Sequence, residues 1–203
     1  VMGSTEEKPA AGTPEHAAGG GTMAVVVGPS GAGKDTLMAF AAAHFRDEPR
    51  LRFVRRFITR PADAGGEDHE GVSSEDFAAM EQAGGFAVSW MAHGLHYGIP
   101  RRTQAELAAG MVLVANGSRS ALPHFQEAYK NLLVINITAR PEILAERLVV
   151  RGRETREDIL ARLERAQLSV VGDYSVVTID NSDDIARAGS KLVDILSKAL
   201  HKA

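Results

Sequence analysis

At 203 residues the chain is long enough for one mid-sized domain with a substantial core, and too short for two once a polar leading segment is set aside. Its formal charge of -3, from 23 Lys and Arg against 26 Asp and Glu, lacks the basic excess that neutralises a nucleic-acid backbone, so no nucleic-acid partner is expected. The absence of cysteine excludes a disulfide framework, a thiolate metal site and a thiol nucleophile, and it fits a reducing, cytoplasmic setting.

Residues 1–22 are rich in Ala, Gly, Pro, Thr and Glu and carry almost no large apolar side chain, which predicts a disordered tail whose first residues could be a cloning remnant. The pattern changes at Met23. Met23–Val27 is a continuous β-branched run that suits a strand buried on both faces of a parallel sheet, and Thr36–Phe45 follows with helix-forming residues. Further strands are expected at Phe53–Ile58, Met111–Ala115, Leu132–Thr138 and Ser175–Ile179. Helices are expected at Ser74–Gln82, Arg101–Ala109, Ala121–Tyr129, Pro141–Val150, Arg156–Ser169 and Ile185–Leu200. This alternation predicts an α/β layered fold with a mostly parallel central sheet. The apolar runs fall far short of the roughly 18 residues that mark a membrane span, and no basic-then-apolar leader is visible, so a soluble protein without a membrane partner is expected.

The chemistry is densest at Gly28-Pro29-Ser30-Gly31-Ala32-Gly33-Lys34-Asp35. Its G-x-x-x-x-G-K spacing lets the glycines follow a tight path that aims successive N–H groups at a phosphate, sets a helix N-terminus beneath it and sends Lys34 toward the β- and γ-phosphates. With a strand before it and a helix after it, the pattern reads as a phosphate loop, with Gly28–Thr36 as the nucleotide-binding segment, rather than as a glycine turn that merely caps a helix. Asp35 stands where a Ser or Thr usually offers Mg²⁺ a hydroxyl, so a carboxylate is expected at the metal, with Thr36 as a neighbouring hydroxyl.

A second cluster lies between Pro141 and Glu154. Arg147 and Arg151 are four residues apart and share a helix face, Gly152 allows a hinge, and an amphipathic stretch containing Arg162 follows. A helix, turn and helix of this kind can close over a triphosphate, and its arginines can neutralise a transferring phosphoryl group. His69, His93 and His96 lack helical metal-ligand spacing, two of them lie beside glycines in a segment read as a loop, and they are not read as a zinc site. Trp90 is expected to pack rather than to serve as a stacking platform.

Gly28–Asp35, Ile58-Thr59-Arg60, the series Arg147, Arg151 and Arg162, and the closing Asp173–Asn181 resemble the guanylate kinase superfamily of nucleoside monophosphate kinases in order and spacing. The resemblance covers most of residues 23–201. Within that superfamily the chain is most similar to the ribose 1,5-bisphosphate phosphokinases of phosphonate catabolism, through Gly33-Lys34-Asp35, Glu67-Asp68-His69, Ser89–Ile99, Asn116-Gly117-Ser118-Arg119 and Arg151–Glu154. This resemblance implies a three-layer P-loop kinase fold, a small acceptor-binding insertion at about 59–99, and an arginine-bearing lid at about 147–162.

It also implies that ATP and Mg²⁺ are used to phosphorylate a sugar phosphate, giving 5-phosphoribosyl 1-diphosphate. Lys34, Arg147, Arg151 and Arg162 would be catalytic, and Arg60, Glu67, His69, Tyr97 and Arg119 would bind the acceptor. Departures from guanylate kinases point the same way. Asp63 replaces an arginine, the Arg60–Phe77 segment is about three residues shorter, a guanine-holding tyrosine is missing, and Asn116 stands where an acidic residue lies near the metal. The rivals are guanylate kinase or another nucleoside monophosphate kinase, and a non-catalytic guanylate kinase-like binding module. A homodimer is compatible with the sequence but not required by it.

Overall fold

The computed structural model describes residues 20–63, 67–151, 170 and 172–203. Residues 1–19 of the expected tail, the expected helix Arg156–Ser169 and Arg162 lie outside the described residues, as does the side chain of Arg151.

The main sheet joins β1 (Thr22–Val27), β2 (Leu51–Phe53), β7 (Val112–Asn116), β8 (Leu132–Thr138) and β9 (Ser175–Asp180) in the order β2-β7-β1-β8-β9, with every pairing parallel. Central β1 explains why its sequence runs apolar without alternation. Ala24 and Val26 face one core while Met23, Val25 and Val27 face the other, and all five are fully buried. The first core is closed by α1 (Lys34–His44) and α6 (Ile185–Leu200). Leu192, Leu196 and Leu200, spaced four apart, form the inward stripe of α6, and Asp184 caps the helix by accepting from the Ala186 N–H at 2.8 Å. The second core is closed by α4 (Leu122–Ala128) and by part of a smaller sheet.

That smaller sheet has the order β4-β3-β6-β5 and contains β3 (Phe57–Ile58), β4 (Glu70–Gly71), β5 (Phe86–Ala92) and β6 (Leu95–Pro100). With α2 (Ser74–Gln82), whose Ser73 cap accepts from the Asp76 N–H, it forms the insertion beside the main sheet. Phe77 of α2 stacks on Phe86 of β5 with ring centroids 4.6 Å apart. The remaining α-helices among the described residues are α3 (Arg102–Ala108) and α5 (Pro141–Arg151). No described helix is long and apolar enough to cross a membrane.

Three expectations are corrected. The single strand predicted at Phe53–Ile58 is two strands in two sheets: Val54 still donates to the Val114 carbonyl, but the chain then leaves the main sheet at Arg55-Arg56 and enters the insertion at Phe57. The segment around His93 and His96, read as a loop, is a β-hairpin. Its turn holds His93 at φ 53° and Gly94 at φ 75°, and His96 lies in β6. The main sheet begins within the expected tail, because Gly21 donates to the Leu107 carbonyl and Asn131 Nδ2 donates to the Gly20 and Gly21 carbonyls, fixing the chain ahead of β1.

Candidate active site

The loop between β1 and α1 opens onto a cavity of about 300 Å³ whose far walls come from the insertion. Two glycines shape it. Gly28 has φ 147°, and a Cβ there would stand 2.1 Å from the Ile137 carbonyl oxygen. Gly33, at φ 88°, caps α1, and a Cβ there would meet Asn181 Nδ2 at 2.4 Å. From behind, the loop is braced by Asn181, whose Nδ2 donates to the Ala32 carbonyl at 2.8 Å. Arg147 braces it as well, donating to the carbonyls of Gly31 and Asn181 at 3.3 and 2.9 Å. Arg147 is thus anchored on the loop itself. It also borders a second cavity of about 410 Å³, with Val150, Ile185 and Asn181 in its walls.

Lys34 Nζ donates to the carbonyls of Gly28 and Pro29 at 3.0 and 3.2 Å. Burial holds its pKa below the usual lysine value; Asp35 opposes that shift, Arg56 and Arg119 add to it, and Glu67 opposes it. A cation held in this way is short of solvation, which the oxygens of an anion can replace.

From Asp35 a chain of polar contacts crosses the cavity. Asn116 Nδ2, at the end of β7, lies 2.9 Å from both Asp35 Oδ1 and Glu67 Oε2, so one amide holds two carboxylates. The other oxygen of Glu67 accepts from Arg56 Nη2 in an ion pair. The Arg56 guanidinium lies 5.0 Å from the ring centroid of Tyr97 and 5.6 Å from that of Trp90. Those two rings stack on each other at 5.2 Å, and Trp90 also packs against Phe125.

Of the residues singled out in the sequence, the cavity gathers Lys34, Asp35, Thr36, Arg60, Glu67 and Tyr97. His69 is not among its walls. It is buried, with Nδ1 2.9 Å from the Glu67 carbonyl oxygen and Nε2 3.3 Å from that of Arg60, so it ties together the two ends of the segment that carries Arg60 and Glu67. Arg119 lies outside the cavity wall, partly buried, and desolvation lowers its pKa. The residue that sequence reasoning missed is Arg56. In the doublet Arg55-Arg56 nothing distinguishes the two, yet Arg55 is solvent-exposed beside Asp68 and Glu70 while Arg56 is 7% exposed and faces the site.

Among the described residues no group of three or more His, Cys, Asp or Glu side chains is placed to hold a metal ion. The donor set nevertheless suits Mg²⁺, which takes one or two carboxylates and completes its shell with phosphate oxygens and water. Asp35 and Glu67 provide such carboxylates.

No protein-family model matches the chain. A protein from Agrobacterium fabrum named ribose 1,5-bisphosphate phosphokinase PhnN is 57% identical to it over 177 residues, covering 87% of this chain and 97% of its own. The chain belongs to the ribose 1,5-bisphosphate phosphokinase family. Family members of the same name from Rhizobium etli and Burkholderia mallei are 58% and 47% identical, over 89% and 86% of this chain and 91% and 94% of theirs. The crystal structure of guanylate kinase from Anaplasma phagocytophilum superposes with a TM-score of 0.64 at 19% identity, covering 92% of this chain and 89% of that one. The chain therefore carries its phosphate loop on a guanylate kinase-like P-loop fold.

Proposed function

We propose that this chain transfers the γ-phosphoryl group of ATP to the 1-phosphate of ribose 1,5-bisphosphate, yielding ADP and 5-phosphoribosyl 1-diphosphate as a step of phosphonate degradation. The observation that carries this reading is 57% identity along 97% of a relative that bears that name. The cavity adds a physical reason, since cationic Lys34, Arg56 and Arg60 surround one space, as the meeting of a triphosphate with a sugar bisphosphate requires.

In this reading the backbone N–H groups of Gly28–Thr36 and the Lys34 ammonium hold the β- and γ-phosphates, and the base of ATP occupies the second cavity against Val150 and Ile185. Arg147 orients the loop from behind and, with Arg151 and Arg162 of a lid at about 147–162, neutralises charge on the transferring group. Asp35 holds Mg²⁺, with Thr36 and Glu67 beside it; bound there, the ion would neutralise phosphate charge. On the acceptor side, at about 59–99, Arg60 and Tyr97 grip the reacting phosphate and Arg119 supplies more distant positive charge. His69 fixes the Arg60–Glu67 segment. The acceptor oxygen is already anionic near neutral pH, so alignment and charge neutralisation suffice without a strong general base.

The test is ADP release from Mg-ATP with ribose 1,5-bisphosphate and, separately, with GMP, using Lys34→Ala as the blank. Turnover confined to the sugar bisphosphate is expected. Turnover with GMP alone would keep the kinase and replace its substrate, while failure to bind Mg-ATP would make the chain a non-catalytic module.

A further inference from the structure

Arg56 is costly to the fold as it stands. The residue is 7% exposed, and among the described residues only Nη2 is bonded, to Glu67, while the buried Nε has no partner. A buried ion pair contributes little net stability over an apolar pair, and an unpaired buried donor destabilises the fold. Stability therefore gives a weak account of this arginine.

Its setting fits anion recognition. The guanidinium lies against the Trp90 and Tyr97 rings and lines the same cavity as Lys34 and Arg60. It also ends the series Asp35, Asn116, Glu67, Arg56, so it stands at the insertion end of the polar chain that starts on the phosphate loop. A bisphosphorylated sugar brings two dianionic ends into this space, and only one of them reacts.

We propose that Arg56 is the acceptor-specificity residue: it binds the phosphate that is not phosphorylated, the 5-phosphate, and Glu67 is the counter-ion it carries until that phosphate arrives. This assignment rests on the acceptor being ribose 1,5-bisphosphate. Phosphate binding gives the Arg56 guanidinium a second anionic partner and releases one carboxylate oxygen of Glu67 toward the cavity, where ribose hydroxyls can donate to it. An acceptor without the second phosphate leaves the pair closed.

The experiment compares ribose 1,5-bisphosphate with ribose 1-phosphate in the wild type, Arg56→Gln and Arg56→Lys. Trp90 is the chain's single tryptophan and stands beside Arg56, so its fluorescence reads acceptor binding independently of turnover. The wild type is expected to prefer the bisphosphate. Arg56→Gln should raise KM for the bisphosphate about 50-fold or more and weaken the fluorescence titration equally, with much smaller changes in KM for ATP and for ribose 1-phosphate, which has no second phosphate to lose. Arg56→Lys keeps a cation beside Glu67 but not the planar fork, and should lose about tenfold on the bisphosphate alone; it serves as the test if the glutamine variant does not fold. Equal losses on both acceptors, or no loss on the bisphosphate, would overturn the assignment while the proposed reaction stands. A wild type that ignores the bisphosphate would overturn both.

Discussion

The phosphate loop occupies eight consecutive residues, Gly28–Asp35, whereas the insertion side of the same cavity draws Arg56 and Arg60 from beside β3, Glu67 from before β4, Trp90 from β5 and Tyr97 from β6. In the proposed function the loop works through backbone N–H groups and one lysine, so its role is written in local spacing. The proposed acceptor side works through side chains that meet only when a small sheet folds over the cavity. Asn116 joins the two, with one amide hydrogen-bonded to a carboxylate from each. One region is thus a motif and the other an assembly, and substitutions can test that division.

The largest effect is expected at Lys34. Lys34→Met should cut turnover by about 10³-fold or more, because charge neutralisation at the transferred phosphoryl is lost. The fold should not suffer. Burial lowers the folded-state pKa of Lys34 below its unfolded value, so the charged lysine carries a stability penalty at neutral pH that is relieved only as pH rises toward 10.5. A melting temperature at or above that of the wild type is therefore expected; a drop of several degrees would show that the loop depends on the lysine for its shape.

At the junction the order reverses, with stability more sensitive than the loop. Asn116→Asp replaces a shared donor by a third carboxylate beside Asp35 and Glu67, which should cost about 1–3 kcal/mol in metal-free buffer. Thermal melts with and without Mg²⁺ check this: a fall of roughly 2–12 °C, partly recovered with the ion, is expected. An unchanged melt without Mg²⁺ would separate the two halves of the site.

The smallest effect belongs to the scaffold beneath both regions. Tyr129 is buried, with its hydroxyl 2.8 Å from Thr103 Oγ1, and burial pushes its pKa up to about 12 while the hydrogen bond works against that shift. A folded pKa above the unfolded value of 10 means that the contribution is fully present below pH 10 and is lost as pH rises from 10 to about 12. Tyr129→Phe should cost up to about 1 kcal/mol at pH 7 and flatten this alkaline limb in urea melts. A limb of unchanged steepness would assign it to other groups.

Legibility follows the same division. Helices α2 and α6 fall where their apolar spacing placed them, and four of the five main-sheet strands lie within a residue of expectation, because continuous apolar runs admit few alternatives. The β5–β6 hairpin carried a signal that went unused: Phe86, Val88 and Trp90 alternate with less buried residues before the turn at Gly94. Arg56 carried none, since two adjacent arginines in an extended segment look alike until the sheet decides which one faces inward. His69 was legible as a notable residue, but as a ligand contact rather than as the brace it forms.

By itself the sequence determined the phosphate loop and the parallel sheet behind it, because each is carried by contiguous residues whose backbone path or periodicity is local, while the kinase family was legible only as a resemblance in several separate motifs. Only the tertiary structure decided which charges meet. That Asn116 holds both Asp35 and Glu67, and that Arg56 is buried between Glu67 and two aromatic rings, depends on segments up to 81 residues apart, and burial sets the energy of a charge only once those segments have closed around it.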